Sequence, residues 1–165
     1  MLVGNDAVSI YFKKTKNTTG KTVTKAITST GTYKLNNSKK TASFISPAKK
    51  DAASLTIPDT ISANGATYKV TEIKSKACKG MKKLTKLTIG KNVTKIGASA
   101  FENCAKLKTV TIKNAKMKQG GFGSKCFSKI KGKATFKVPK KMVKKYQEWI
   151  IKKGKAPKNI KVKGK

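Results

Sequence analysis

The sequence predicts a solenoid of short β-strands joined by short helical or irregular turns. Two observations support this prediction: an apolar pattern occurs twice, and a constant offset separates its copies. Val70 and Ile73 align with Val93 and Ile96 at an offset of 23 residues. The same offset relates Ala77 to Ala100, Met81 to Cys104, Leu84 to Leu107, Leu87 to Val110, and Ile89 to Ile112. This period and its short apolar triplets are typical of a leucine-rich repeat solenoid, in which each repeat buries its apolar side against its neighbours.

The repeat pattern divides the chain into three predicted parts. Residues 1–31 are predicted to be a linker or irregular leading segment, because their second half has few apolar anchors. Residues 32–138 are predicted to form the solenoid with an N-terminal hairpin cap. Residues 139–165 are predicted to form a C-terminal capping α-helix and a basic tail.

Two hairpins are predicted at the start of the solenoid. Tyr33–Leu35 and Thr41–Ile45 flank a polar turn, and this pair is predicted to cap the open end of the first repeat. The first repeat also contains an insertion over residues 60–68, with Asn64-Gly65 at its centre. This dipeptide favours a type I′ turn, because both positions tolerate a positive φ. A second insertion, of three residues, follows Ile112 and lengthens the period to 26.

The predicted C-terminal helix follows Pro139, which suits a first helical turn, and ends near Gly154. Its apolar residues recur three and four positions apart, at Met142, Val143, Tyr146, Trp149 and Ile150. We expect this stripe to cover the apolar end of the solenoid, with Trp149 as the largest contributor. The alternative is a helix for a partner or a membrane surface, because its other face is rich in lysine. Beyond Pro157, the sequence indicates either a short strand or a frayed end.

The charge of the chain is extreme for 165 residues. Forty lysines and no arginines stand against six acids, which gives a net charge of +34. Such a charge attracts polyanions such as nucleic acid, teichoic acid, sulfated glycans or anionic membrane surfaces. Reading base edges usually requires the planar fork of arginine, so sequence-specific DNA recognition is disfavoured. The alternative interpretation is that lysine only fills the solvated face of each repeat.

The chain offers little catalytic or metal-binding chemistry. Cys78, Cys104 and Cys126 occupy apolar positions without a CxxC spacing, and histidine is absent. We therefore expect three buried thiols, no disulfide framework, no bound metal and no cofactor. The six acids form no spaced pair within one repeat, so an enzyme is the least favoured class of function. No window approaches 18 apolar residues, and an export signal, if one exists, is expected outside this chain.

The segment from Leu84 to Cys104 reads LTKLTIGKNVTKIGASAFENC. It resembles the motif LxxLxIPxxVxxIGxxAFxxC of the BspA-like leucine-rich repeats of bacterial surface proteins. Residues 55–83 resemble the motif well, and residues 108–138 resemble it more loosely. The resemblance implies a cell-surface or secreted binding module, which in relatives is linked to adhesion and to host or matrix proteins. It implies no particular ligand.

The alternation within each triplet predicts which side chains are buried and which are exposed. The predicted core comprises Leu84, Leu87, Ile89, Val93, Ile96, Phe101, Cys104, Leu107, Val110, Ile112, Phe127 and Trp149. We define the threonine-lysine face as the opposite side of the stacked strands: Ser54, Thr56, Lys86, Thr88, Thr109, Thr111, Lys113, Thr135 and Lys137. Its residue types are also explained by β propensity alone. The aromatic residues available for stacking are few: Tyr11, Phe12, Tyr33 and Tyr68.

The sequence therefore favours a non-enzymatic, monomeric module that recognises a protein or glycan of a host, a matrix or a bacterial surface. The predicted binding residues lie on the threonine-lysine face. The alternative function is nonspecific binding of nucleic acid or a cell-wall polymer, driven by the lysine charge and the release of counterions.

Overall fold

The computed structural model describes residues 14–15 and 23–165 of the chain. These residues form twelve β-strands, one α-helix and two 3-10 turns. The strands are β1 Lys14–Thr15, β2 Val23–Ile27, β3 Gly31–Asn36, β4 Thr41–Pro47, β5 Ser54–Ile57, β6 Thr60–Ala63, β7 Ala66–Ile73, β8 Lys86–Ile89, β9 Lys95–Ile96, β10 Thr109–Ile112, β11 Thr135–Val138 and β12 Lys161–Gly164. The helix α1 spans Val143–Lys152, and the 3-10 turns span Gln119–Gly121 and Lys140–Met142.

Five of the strands form a parallel sheet in the order β12-β11-β10-β8-β5. Equivalent residues of the repeats are paired, since Leu55 lies opposite Leu87, Leu87 opposite Val110, and Val110 opposite Phe136. The strands can be parallel because the chain makes a complete turn of 23 to 32 residues before it returns to the sheet. In β5, β8, β10 and β11, buried side chains alternate with more exposed ones, and in β12 the partly buried Val162 lies between exposed lysines, so the sheet has one apolar face and one polar face.

The remaining strands form a second sheet in the order β1-β2-β3-β4-β7-β6, and β9 also pairs with β7. Its two hairpins agree with the predicted ones: β3 pairs with β4, and β6 pairs with β7, both antiparallel. Asn64 and Gly65 have φ angles of 50° and 69°, as a type I′ turn requires. Beyond the hairpins, β9 pairs with β7 in parallel, and an isolated bridge joins Ile96 to Phe122.

The turns on the side of the repeats away from the parallel sheet are also hydrogen-bonded to each other. In each turn, three alternate backbone N–H groups donate to carbonyl groups of the next turn. The first set joins Lys76 to Ala98, Cys78 to Ala100, and Gly80 to Glu102, at 2.8 to 3.0 Å. The second set joins Ser99 to Ser124, Phe101 to Cys126, and Asn103 to Ser128, each at 2.9 Å. These bonds satisfy backbone groups that the sheets do not pair.

Glycine permits the close approach of consecutive repeats at the start of these turns. A Cβ atom on Gly97 would lie 2.3 Å from the backbone nitrogen of Ser75, and one on Gly123 would lie 2.5 Å from the nitrogen of Ala98. Both distances are far below van der Waals contact. The glycine in the Ile-Gly pair at Gly97 is therefore required by packing between backbones.

The core lies between the two sheets and the turns, and it is continuous through the repeats. Phe101 and Phe127, at equivalent positions of consecutive repeats, stack with ring centroids 5.5 Å apart. Phe136 meets Phe127 edge to face at 5.2 Å. Eleven residues of the core predicted from sequence are at most 1% exposed: Leu84, Leu87, Ile89, Val93, Ile96, Phe101, Cys104, Leu107, Val110, Ile112 and Phe127.

The helix near the C-terminus is present, but its packing differs from the prediction at Trp149. Trp149 is only partly buried, whereas Tyr146 and Ile150 are completely buried. The Tyr146 hydroxyl donates a 2.6 Å hydrogen bond to the carbonyl of Asn114 and accepts one from the Met117 N–H at 3.2 Å. Tyr146 is therefore inserted into the loop that carries the second insertion, and Trp149 packs beside it at the edge of the core.

The residues after α1 continue the pattern of the repeats. The N–H groups of Lys125 and Phe127 donate to the carbonyls of Lys153 and Gly154, at 3.1 and 2.9 Å. The end of α1 thus lies where the turn of a further repeat would lie. The tail then forms β12, which pairs in parallel with β11. Of the two tail structures that the sequence left open, the structure has the strand.

The leading segment, predicted to be a linker or an irregular segment, contains two short strands. Val23–Ile27 forms β2 and pairs with β3, so regular structure begins before residue 32. The pairing occurs because β3 offers an open edge that even a weakly apolar strand can join. Apart from Lys14–Thr15, which pairs with β2, residues 1–22 lie outside the described residues.

Candidate binding surface

The parallel sheet arranges its polar side chains in two rows that cross all five strands. Equivalent positions of the strands lie directly opposite one another in each row. The first row contains Ser54, Lys86, Thr109, Thr135 and Lys161. The second row contains Thr56, Thr88, Thr111, Lys137 and Lys163. The structure thus brings together the strand residues of the predicted threonine-lysine face.

Lys113 lies one position beyond β10, and its N–H donates to the carbonyl of Ile89 at 3.0 Å, so the pairing continues to this residue. The sequence does not predict Lys161, Lys163 and Lys165 on this face, because it leaves the tail open between a short strand and a frayed end. Lys165 continues the pairing in the same way, since its N–H donates to Val138 at 2.9 Å. The 26-residue offset from Thr135 to Lys161 is the signal that could have revealed them.

Three threonine hydroxyls at the centre of the face have no hydrogen-bond partner within the described part of the chain. Thr88, Thr109 and Thr111 are half-buried, and their side chains form no hydrogen bond with another residue in the described part of the chain. Hydroxyls in adjacent strands lie about 5 Å apart. Each can donate one hydrogen bond and accept two. The face therefore offers a regular array of hydroxyl and ammonium groups.

All five acids within residues 23–165 form ion pairs with lysines outside this face. The pairs are Asp51 with Lys83, Asp59 with Lys91, Glu72 with Lys74 and Lys95, Glu102 with Lys79, and Glu148 with Lys152. The lysines of the face have no acidic partner among the described residues. A negatively charged ligand would therefore meet an uncompensated positive charge there.

Glu72 is the acid most tightly held by its surroundings. Its carboxylate accepts hydrogen bonds from Lys74 at 2.6 Å and Ser43 at 3.0 Å, and Lys95 lies 3.3 Å away. Partial burial raises the pKa of Glu72, but these contacts together outweigh burial, and the pKa lies below its ordinary value of 4.5. Glu72 therefore links β4, β7 and β9 through its charge.

Glu72→Gln is expected to lower the free energy of unfolding by about 1 kcal/mol at pH 7, because the charged hydrogen bonds are removed. The stabilising effect of Glu72 is complete above the unfolded pKa near 4.5 and disappears as the pH falls through the lower native pKa. Urea denaturation at several pH values measures the difference. Glu148→Gln is the control: it removes a solvent-exposed pair with Lys152, and a loss as large as that of Glu72→Gln would contradict this account.

The three cysteines are free thiols in the core. Burial raises the pKa of Cys104 to about 11 and that of Cys126 to about 12. The pKa of Cys78 is also raised, by burial and then by the neighbouring Cys104. The thiols are therefore protonated at neutral pH and have little reactivity as nucleophiles. In the described part of the chain, no three cysteine or acidic side chains are grouped in a way that could hold a metal ion.

The aromatic residues contribute little to the surface. Tyr33 and Tyr68, which the sequence suggested for stacking, are buried, and Trp149 is the least buried aromatic residue within 23–165. Tyr11 and Phe12 lie outside the described residues. The candidate surface therefore relies on hydroxyl and ammonium groups.

Comparison with known families identifies the repeat. A family model described as a BspA type leucine-rich repeat region matches six copies across residues 54–163. The chain belongs to the BspA-type leucine-rich repeat family. This confirms the resemblance found in the sequence. The BspA-type match extends past residue 138 and includes α1 and most of β12.

One solved structure of a leucine-rich repeat protein shares the fold, and two others are similar to a smaller part of the chain. A protein from Bacteroides capillosus is 18% identical, with a TM-score of 0.52, and the match covers 82% of this chain and 96% of that protein. A leucine-rich cell surface protein from Faecalibacterium prausnitzii is 26% identical over 70% of this chain, with a TM-score of 0.45. A protein from Bacteroides ovatus is 22% identical over 66% of this chain, with a TM-score of 0.47.

The chain spans 26% of the F. prausnitzii protein and 33% of the B. ovatus protein. No curated protein matches the chain. Among the described residues of this BspA-type protein, no helix has both the length and the apolar character of a membrane span.

Proposed function

We propose that this chain is a non-enzymatic recognition module of the bacterial cell surface or the secreted fraction, which binds a protein or a glycan through the threonine-lysine face. Family membership supports a binding role, since leucine-rich repeat proteins generally serve as binding modules. The BspA-like resemblance supports a surface location. The potential partners are host, matrix or bacterial surface molecules.

The architecture that we propose for this role is a short solenoid over residues 32–138, with β3 and β4 as its N-terminal cap. Residues 139–165 form its C-terminal cap, in which α1 covers the last turn and β12 adds one more strand to the parallel sheet. In support of this, β4 pairs with β7 in parallel and covers its edge, and Tyr146 and Ile150 of α1 are buried on the last turn. Caps of this kind protect the apolar ends of repeat proteins.

The observation that carries the proposal is the register of the parallel sheet. Four strands place Ser54, Lys86, Thr109 and Thr135 in one row, and β12 adds Lys161 to it. The row is held on a rigid scaffold over β5, β8, β10 and β11, because the alternate residues of these four strands are buried. A rigid surface loses little conformational entropy when it binds, which favours recognition.

The second candidate function is nonspecific binding of polyanions. The net charge of +34 favours it, together with lysines that lack acidic partners among the described residues. Such binding weakens steeply with salt and tolerates changes to uncharged residues, because it depends on counterion release.

The proposed face is tested by Thr111→Phe, whose bulk would obstruct the centre of both rows. The wild-type chain and the variant are applied at about 150 mM salt to an array of glycans, purified matrix proteins and mucins. The wild type is expected to bind at least one probe, and Thr111→Phe is expected to weaken that binding at least about tenfold, which corresponds to a loss of about 1.4 kcal/mol.

Thr67→Phe is the matched control, since Thr67 is an exposed threonine of β7 in the other sheet. It is expected to retain wild-type binding. Recognition at this face would be contradicted if both variants lost binding equally. It would also be contradicted if salt and heparin each abolished binding by the wild type. The second result would favour the polyanion function.

A further inference from the structure

The lysines of the polar face are concentrated at one end of the sheet. We define the C-terminal lysine cluster as Lys113, Lys137, Lys161, Lys163 and Lys165. These residues lie on or directly after β10, β11 and β12, and all five are exposed. On β5, β8 and β10, in contrast, the rows contain one lysine, Lys86, among serine and threonine residues. The charge is therefore not spread evenly over the face.

The cluster places like charges side by side. Lys137 lies opposite Lys163 in neighbouring strands, and Lys161 is on the same face, two residues before Lys163. No acid pairs with any of these three lysines within residues 23–165. Like charges in directly opposed positions destabilise a sheet. An uncharged residue fits these positions in the other strands of the second row, where Thr56, Thr88 and Thr111 occupy the equivalent sites.

Each of two lysines in the cluster has a threonine as its partner in the neighbouring strand. Thr111 lies opposite Lys137, and Thr135 lies opposite Lys161. A phosphodiester group carries one negative charge that two non-bridging oxygens share. The backbones of neighbouring strands lie about 5 Å apart. A lysine ammonium on its flexible stem and a threonine hydroxyl on the next strand can therefore each donate to one of these oxygens.

The surroundings of the cluster disfavour ligands that need stacking. No aromatic residue within 23–165 is fully exposed, so nucleobases and sugar rings would find no stacking platform. Lysine binds phosphate as a point charge without a fixed orientation, which suits a flexible chain. A linear phosphodiester polymer with small aliphatic linkers needs only this arrangement of charges and hydroxyls.

From these observations we infer that the C-terminal lysine cluster is a binding site for a linear phosphodiester polymer of the poly(glycerol phosphate) type. The polymer crosses β10, β11 and β12, and successive phosphates meet Lys137, Lys161 and Lys163. The inference rests on the second candidate function, since it specifies one class of polyanion, and it assigns this ligand to one end of the polar face of the parallel sheet.

The test uses deacylated lipoteichoic acid, a poly(glycerol phosphate) chain, titrated against the full chain at about 50 and 200 mM salt. The variant Lys137→Thr/Lys161→Thr/Lys163→Thr places in these strands the residue that the other strands carry. It is expected to bind at least about tenfold more weakly at 50 mM. Each phosphate that a lysine neutralises contributes about 0.7 to the slope of log affinity against log salt. Because the variant lacks three of these lysines, its slope is expected to be less steep by about 2.

Lys39→Thr/Lys49→Thr/Lys50→Thr is the matched control. It removes the same charge from three exposed lysines that have no acidic partner among the described residues. The control is expected to bind within about threefold of the wild type, and circular dichroism verifies that both variants are folded. Equal losses in the two triple variants would overturn the inference, because they would show that only total charge matters.

Three further probes separate the classes of ligand. Poly(dT), heparin and polyglutamate are titrated under the same conditions, and each is expected to bind more weakly than deacylated lipoteichoic acid, with less dependence on the cluster. Tighter cluster-dependent binding of any of them would overturn the assignment to poly(glycerol phosphate). If no polymer depends on the cluster while Thr111→Phe still abolishes binding on the array, this inference fails and the proposed function stands.

Discussion

Gly97→Ala is expected to lower the free energy of unfolding by about 3 kcal/mol, at the upper end of the usual cost of overpacking. The new Cβ atom would lie 2.3 Å from the nitrogen of Ser75 and 2.6 Å from the carbonyl carbon of Lys74. Both are backbone atoms, so no side chain can rotate to make space. The repeats would have to separate, which would weaken the hydrogen bonds that the Lys76 and Cys78 N–H groups donate to Ala98 and Ala100. Chemical denaturation measures the change.

Gly120→Ala provides the control for this prediction. A Cβ atom on Gly120 would have no heavy atom within 4 Å, and this glycine is exposed. Its substitution is expected to change the free energy of unfolding by less than about 0.5 kcal/mol, as is usual for surface changes. A Gly97→Ala protein as stable as Gly120→Ala would show that the repeats do not approach as closely as described.

Cys104→Asp is expected to have an even larger effect, with a loss of about 3 to 5 kcal/mol at pH 7, typical of an unpaired buried charge. Cys104 is completely buried, and its Sγ donates to the carbonyl of Cys78 at 3.2 Å. Since natural domains have only about 5 to 15 kcal/mol of stability, the variant is expected to be largely unfolded at elevated temperature.

The pH dependence separates the buried charge from a simple loss of packing. A carboxyl group forced into the core has a pKa above that in the unfolded chain. The loss of stability is therefore complete above the pKa of the native state, and it decreases as the pH falls from that pKa toward the pKa of the unfolded state. Cys104→Ala, which adds no charge, is expected to lower the free energy of unfolding by a smaller amount. Its stability is not expected to recover at low pH. Thermal melting at pH 5 and pH 8 makes the comparison. An unchanged melting temperature in Cys104→Asp would disprove that Cys104 is buried.

The repeat architecture could be predicted because its determinants are local and periodic. The offset that aligns Leu84 with Leu107 also sets the register of the sheet, since a strand displaced by one residue would expose its leucine or isoleucine. The Asn64-Gly65 turn could be predicted for a similar reason, as only a few residue types adopt positive φ at both positions. These features depend on neighbouring residues or on equivalent positions one repeat away.

The features that were missed depend on tertiary interactions without a periodic signal. Val23–Ile27 forms a strand that pairs with β3, whereas its own sequence left a linker and an irregular segment open. The helical stripe predicts that α1 packs on the core, but it does not reveal that the Tyr146 hydroxyl reaches the Asn114 carbonyl. Trp149 consequently makes a smaller contribution to the packing of α1 on the core than its size suggests. The candidate site was predicted on four strands and missed on β12, where the intervening helix obscured the repeat.

The most direct test of the central claim, that the polar face of the parallel sheet binds poly(glycerol phosphate) at the C-terminal lysine cluster, is lysine footprinting by mass spectrometry. The chain is acetylated with and without deacylated lipoteichoic acid at about 100 mM salt, and the protection of each lysine is compared. We predict strong protection of Lys137, Lys161 and Lys163, weaker protection of Lys86, and none at Lys39, Lys49 and Lys50. Equal protection of all exposed lysines, or protection confined to lysines outside the sheet, would contradict the claim.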